Sequence, residues 1–272
     1  MGVLEDLRAA WVLRDTYESS VQQRIWDNRA EDFKNHPLPE LDVDPFLVRM
    51  AEECTLGKDT SVLDVGCGAG GYSIALAAVA GRAAGVDVSP NMIKAASERA
   101  AEMGLSNCSF SAMDWSAADI DSLGFRGSFD IAFAHMTPAI CDYSTLEKLD
   151  DCAVRLCMIE KPSRRTNLIQ DACAAAIGMG GEESLDTDLL NIFTYAWCKG
   201  YEPKLYYRKE TWNIPQDAEK FTSWCLDRAR LRKKLTAQDE QTIREFIKSR
   251  ADENGKVEEI TNTTRVTVLW KK

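Results

Sequence analysis

Val62-Leu63-Asp64-Val65-Gly66-Cys67-Gly68-Ala69-Gly70-Gly71 carries an apolar strand straight into a glycine-rich loop and then into a helix. A side chain in such a loop would block close approach of the backbone to a ligand, and the turn asks for φ/ψ values that glycine adopts freely. The helix that follows points unpaired N–H groups at the same place, so an anionic group is expected there. Gly66, Gly68 and Gly70 make a Gly-x-Gly-x-Gly loop, while Gly66, Gly68 and Gly71 also satisfy the dinucleotide pattern Gly-x-Gly-x-x-Gly. The loop alone admits both cofactors. Asp87, at the end of the next apolar run, would accept hydrogen bonds from ribose hydroxyls in either case.

Outward from the loop, short apolar runs alternate with helical stretches, the pattern of repeated strand-helix units and a mostly parallel sheet. Strands are expected near 61–65, 83–87, 107–111, 129–134 and 154–160, with helices near 70–80, 90–103, 116–121 and 144–152 between them. A helix near 186–199, a strand from Tyr201 to Trp212 and a last strand from Thr263 to Trp270 complete the α/β fold. Residues 1–35 show apolar residues at three- and four-residue steps, an amphipathic helical pattern, and Asp44-Pro45 opens a helix running to about Thr55. The expected organisation is one domain: a helical cap (1–58), a cofactor-binding core (59–212), a helical insert (213–260) and the last strand (261–272). Ligands of open α/β sheets sit beyond the carboxyl ends of the parallel strands. If the strand 201–212 runs parallel to its neighbours, the insert hangs over that crevice as a lid.

Three features favour S-adenosylmethionine over a nicotinamide dinucleotide. Asp64 places a carboxylate where a cationic amino-acid moiety could be held and a pyrophosphate would be repelled. Asp114-Trp115, after the third strand, offers an acceptor for an exocyclic adenine amine and an aromatic surface beside the ring. About 60 residues precede the first strand, whereas a dinucleotide domain more often opens with it. No Tyr-x-x-x-Lys placed for catalysis and no other hydride-transfer signature stands out, which makes an NAD-dependent oxidoreductase the weaker reading.

VLDVGCGAG, GVDVSPNMIKAA, Asp114-Trp115 and SFDIAFAHM, in that order, resemble the successive cofactor motifs of class I S-adenosylmethionine-dependent methyltransferases, over roughly residues 60–140. The resemblance implies a doubly wound, Rossmann-like, seven-stranded mostly parallel sheet with its final strand antiparallel. It also implies roles: Asp64, Gly66 and Gly68 around the methionine part, with Cys67 and Gly70 in the same loop; Asp87 on the ribose; Val88 and Met92 near the adenine; Asp114 and Trp115 at its edge. His135 falls where the family often lines cofactor and acceptor. Met136-Thr137-Pro138 departs from the Asn-Pro-Pro-aromatic signature of enzymes that methylate adenine amines or protein glutamines.

His135 could take a proton from an acceptor hydroxyl or amine, having an ordinary pKa near neutrality, or simply shape the pocket. Tyr17, Trp26 and Arg29, on the aromatic N-terminal stretch, are candidates to cover the cofactor, with helix packing as the alternative. Arg228, Arg230, Arg232, Lys233 and Lys234 could meet an acidic substrate group or could be a solvated helix end. Cys67 reads as a small structural residue.

The 272 residues carry a net charge of −10, an unfavourable background for nucleic acid, whose binding rests on Lys and Arg at phosphates. Nine scattered cysteines without a Cys-x-x-Cys pair, and two histidines, argue against a disulfide framework or a zinc site, and no metal is expected. No stretch reaches the roughly 20 apolar residues that span a bilayer, and the start Met1-Gly2-Val3-Leu4 shows no leader pattern, so a cytoplasmic protein beginning here is expected. These observations together point to a methyltransferase acting on a small-molecule acceptor. A non-catalytic S-adenosylmethionine-binding sensor or assembly protein is the first alternative, and an NAD-dependent oxidoreductase the more remote one.

Overall fold

The computed structural model describes residues 2–15, 17–179 and 186–272, Asp186 by its backbone alone. Helices α1 (Val3–Ala10), α2 (Ser19–Asp27), α3 (Ala30–Lys34) and α4 (Pro45–Glu53) precede the first strand. The periodicity of residues 1–35 therefore folds as three short helices. Asp27 explains one break: its Oδ1 accepts from Ser89 Oγ at 2.6 Å and Asn91 N at 3.1 Å, pinning the end of α2 to another helix start. The Asp44-Pro45 signal forms as read, with Asp44 Oδ1 accepting from Phe46 N at 2.9 Å and Leu47 N at 3.2 Å.

The core alternates as β1 (Ser61–Val65), α5 (Gly71–Ala77), β2 (Arg82–Asp87), α6 (Pro90–Glu102), β3 (Cys108–Ala112), β4 (Phe129–His135), α7 (Tyr143–Cys152) and β5 (Ala153–Asn167). Then come α8 (Leu168–Ala176), α9 (Asp186–Cys198), β6 (Lys204–Asp217), α10 (Ala218–Arg230), α11 (Ala237–Lys248) and β7 (Lys256–Lys271). The seven strands lie in the order β3-β2-β1-β4-β5-β7-β6. β1 to β5 pair in parallel, and β7 is antiparallel to both β5 and β6, so β6 runs parallel to the rest. This is the doubly wound, mostly parallel sheet read from the sequence. One face buries Leu63, Ala132, Cys157 and Val268 with α1, α7 and α9; the other buries Val62, Phe133, Met158 and Leu269 with α4 and α5.

Two differences have local causes. The helix expected near 116–121 is a run of turns. Asp114 Oδ1 accepts from Ser116 N and Oγ, and Asp119 Oδ1 from Asp121 N and Ser122 N, so side chains capture the amides a helix would use. The second difference is length. β5, β6 and β7 run 15, 14 and 16 residues, well past the 5 to 7 of the other strands. Their extension supports a lobe in which α8, α10 and α11 bury Cys173, Ile177, Phe221, Leu226, Ile243 and Val257.

That lobe lies over the carboxyl ends of the sheet, because β6 shares the direction of β1, β4 and β5. α10 meets α2 there: Arg24 Nη2 is 2.9 Å from Asp227 Oδ1, and Trp26 and Trp224 meet edge to face at 6.1 Å.

Candidate active site

The glycines of the loop after β1 differ in what they do. Gly66, Gly68 and Gly70 all have left-handed φ, at 77°, 53° and 75°. A Cβ on Gly66 would lie 2.0 Å from Thr137 Oγ1, and one on Gly70 would lie 2.9 Å from Ala96 Cβ. On Gly68 it would meet nothing nearer than Phe33 Cδ1 at 3.8 Å, so this glycine leaves the backbone open toward the crevice. Gly71 has an ordinary φ, and a Cβ there would meet nothing nearer than 3.8 Å. The close packing that the third glycine of a dinucleotide loop serves is missing. The geometry fits Gly-x-Gly-x-Gly.

Asp87 holds this loop. Gly68 N donates to its Oδ2 and Ser89 N to its Oδ1, both at 2.9 Å. Burial raises the pKa of this carboxyl, and the two backbone donors pull against it. Asp64 is 2% exposed and accepts from Ser73 Oγ at 2.7 Å, so it lies beneath the loop, and burial pushes it up to about 7. Cys67 is also buried, which raises its thiol well above the ordinary value and suits an inert, space-limited role. Ser89 caps α6 by accepting from Met92 N at 3.0 Å, and Met92 is buried against Ala69.

At the end of β3, Asp114 Oδ1 accepts from Tyr17 OH at 3.0 Å as well as from Ser116. Burial works to raise Asp114, yet these donors bring it below the usual carboxylate range. Trp115 does not join the crevice. It is 3% exposed in the core beside α7, its indole N–H donating to Thr145 O at 3.0 Å.

The N-terminal helices roof the loop. Phe33 faces Gly68, Trp26 meets Phe33 edge to face at 6.1 Å, and the Arg29 guanidinium lies 5.6 Å from the Phe33 ring and 4.9 Å from that of Trp224. Neither of two open hollows, one beside Met113, Asp114 and Ala117 and one beside Arg164, Lys209 and Asn262, is lined by the loop.

His135 ends β4, its ring 4.0 Å from that of Tyr72 and 4.8 Å from that of Phe46. Its Nε2 is 3.2 Å from Glu160 Oε1 but off the line of a hydrogen bond. Basic residues at and just after the end of α10 are engaged within the lobe: Arg230 with Asp227 and Glu240, Lys233 with Asp239.

The structure thus gathers Gly66, Gly68, Gly70, Asp87 and Met92 with Trp26 and Arg29 around one crevice, joins Tyr17 to Asp114, and sets Val88 half-buried after β2. Residues without a signal in the sequence complete it. Thr137 backs Gly66, Trp224 closes on the cap, and Glu160 stands behind His135; all three are far in sequence from what they touch.

A family model described as a methyltransferase domain matches residues 56–186. Ninety-eight residues are 33% identical to the 23S rRNA (uracil(1939)-C(5))-methyltransferase RlmD of Marinomonas posidonica, covering 34% of this chain and 22% of that protein. Another 87-residue match is 34% identical to the sterol 4-C-methyltransferase strm-1 of Caenorhabditis elegans, covering 31% and 25%. The matched stretch spans about a quarter of the length of these curated relatives. Among solved structures, a phosphoethanolamine N-methyltransferase of Haemonchus contortus has a similar fold, with a TM-score of 0.51 at 15% identity, over 96% of this chain and 60% of that one. Residues 56–186 thus form a Rossmann-like methyltransferase domain of the class I, S-adenosylmethionine-dependent type.

Proposed function

We propose that the chain methylates a small molecule held between the ends of β4 and β5, the N-terminal helices and the lobe of α8, α10 and α11. The observation that carries this reading is the roof. Asp227, 4% exposed, pairs with Arg24 beside the Trp26–Trp224 contact, so the N-terminal helices and the lobe meet there in place of an open basic surface. A net charge of −10 supports the same reading, since phosphate neutralisation would be weak. The two curated relatives divide by name between an rRNA and a sterol, and the charge and the roof support the second kind of acceptor.

S-adenosylmethionine, when bound, supplies a methyl group on a positively charged sulfur. The chain has to align the acceptor and exclude water, because an in-line displacement needs little else. In this reading Asp87 accepts from the ribose hydroxyls, and Asp114 from the adenine amine after exchange with Tyr17. Asp64 sets a negative field below the amino-acid part, and the open side of Gly68 admits the ligand to backbone contact. Val88 and Met92 flank the adenine, while Trp26 and Arg29 close over it. His135 takes the proton that the acceptor releases. Residues 1–58 act as cap, 59–212 as core and 213–260 as lid, in a cytoplasmic protein; no helix among the described residues is long and apolar enough to cross a membrane.

The test is to incubate the protein with S-adenosylmethionine and either a fractionated pool of small metabolites or total RNA, following S-adenosylhomocysteine by mass spectrometry. Product with a metabolite fraction alone supports the reading. Product with RNA alone refutes the small acceptor, and cofactor binding without product in either arm favours a sensor.

A further inference from the structure

Three nitrogens beyond the end of β4 are buried without a hydrogen-bond partner: His135 Nε2, Arg208 Nε and Arg265 Nε. Buried donors in folded proteins are nearly always paired, so three in one patch point to something that completes them. Sheet register brings them together. His135 pairs with Glu160 across β4 and β5, Glu160 with Thr267 across β5 and β7, and Arg265 with Arg208 across β7 and β6. Residues directly opposite share a face, and Thr267 and Arg265 share one by their spacing of two.

Two carboxylates share this face in different ways. Glu160, its side chain 4% exposed, lies 3.2 Å from Arg265 Nη1 and 3.5 Å from Arg208 Nη2 and accepts from Thr267 Oγ1 at 2.7 Å. Burial opposes its charge, but His135, Thr267 and Arg265 hold it down at about 2, so it is a permanent part of the patch. Glu210 is more exposed, at 22%. Its oxygens are 2.9 Å from Arg208 Nε and 2.7 Å from Arg265 Nε, yet neither N–H is aimed at them. Trp212 Nε1 donates to Glu210 at 2.8 Å, and the Trp212 ring lies 5.4 Å from the Arg265 guanidinium and 5.7 Å from that of Arg165. The patch borders the cofactor loop, because Tyr72, whose ring lies 4.0 Å from that of His135, is the second residue of α5.

We propose that Arg208 and Arg265 bind an anionic group of the methyl acceptor, a carboxylate or a phosphate, which displaces Glu210 and leaves the reacting end of the molecule beside His135. The proposal rests on the small-acceptor reading and narrows it to anionic acceptors. A planar guanidinium gives two parallel donors to such a group, and Glu210 occupies the place with poorer alignment.

The test titrates 15N-labelled protein with inorganic phosphate and, separately, with butyrate, against sodium chloride at matched ionic strength, with and without S-adenosylhomocysteine. The chain has two histidines, so His135→Asn assigns the imidazole signals, and Arg208→Lys and Arg265→Lys assign the Nε–H signals. Saturable shifts of His135 and of both arginine signals, with His36 unmoved, are expected, and the anion that produces them distinguishes carboxylate from phosphate. Glu210→Gln should tighten the anion about fivefold by removing the competitor, and the double change of Arg208 and Arg265 to Gln should abolish saturation. Shifts that do not saturate, or weaker binding in Glu210→Gln, overturn the proposal. Calorimetry of S-adenosylhomocysteine on the same samples separates the two readings. Binding of that ligand without any anion response refutes the anion site alone, whereas no binding strikes the methyltransferase reading beneath it.

Discussion

Thr137 Oγ1 occupies the space that a side chain on Gly66 would need, 2.0 Å from the position of its Cβ, so the turn after β4 is built against the turn after β1. Gly66→Ala therefore meets two penalties: a left-handed φ of 77°, worth about 1–2 kcal/mol, and overpacking, worth about 1–3 kcal/mol. Thr137→Gly in the same chain should recover the second and leave the first, because Thr137 Cβ is itself only 2.6 Å from the added atom. Urea unfolding of the two single variants and the double variant checks this. Equal stabilities of Gly66→Ala with and without the second change would show that the loops are not in contact.

Asp64 predicts a pH dependence with a definite sign. Its folded pKa of about 7 lies above the ordinary 3.8, so the fold favours the protonated form. The stability tied to this group is complete below pH 3.8 and is lost as pH rises to about 7. Asp64→Asn should remove that slope and stabilise the ligand-free chain at pH 8, by at most about 4 kcal/mol. Unfolding at pH 5 and pH 8 reads it. Cofactor binding should also favour the ionised carboxylate, so calorimetry at pH 6 in two buffers of different ionisation enthalpy should detect proton release, absent in the Asn variant.

Asp87 accepts from two backbone donors, so neither simple replacement is mild. Asp87→Ala leaves Gly68 N and Ser89 N unpaired, at about 1–3 kcal/mol each, and Asp87→Asn turns an NH2 group toward one of them. Both should weaken S-adenosylhomocysteine by at least about tenfold, equal to about 1.4 kcal/mol. Affinity within twofold of the parent in Asp87→Ala would remove Asp87 from the site.

The roof makes a kinetic prediction. Trp224→Ala removes the surface on which Trp26 and Arg29 rest, and Asp227→Asn weakens the pairs with Arg24 and Arg230. Stopped-flow displacement should show S-adenosylhomocysteine leaving several-fold faster from either variant, with the association rate changed less. Unchanged release would mean that the lobe does not gate the crevice.

Much of this is legible in the sequence because local periodicity and glycine spacing are short-range signals. The β1 loop, Asp87 and the Asp44-Pro45 cap follow from residues within a few positions of one another, whereas the direction of the last strand is implied by the family resemblance. The long extensions of β5, β6 and β7 carry polar residues on both faces, as in Arg208-Lys209-Glu210-Thr211, so neither alternation nor an apolar run announces them. Trp115 was assigned to the adenine edge by its neighbour Asp114, but a large apolar ring gains more from the core beside α7. Glu160 shows the remaining limit: a single carboxylate in Met158-Ile159-Glu160 says nothing of Arg265 and Thr267, more than a hundred positions away.

The most direct measurement is parallel calorimetric titration of the full chain with S-adenosylmethionine, S-adenosylhomocysteine and NAD. Micromolar binding of both adenosyl ligands, about −8 kcal/mol, with no heat from NAD is expected. Binding of NAD without the adenosyl ligands would contradict the cofactor assignment and every role derived from it.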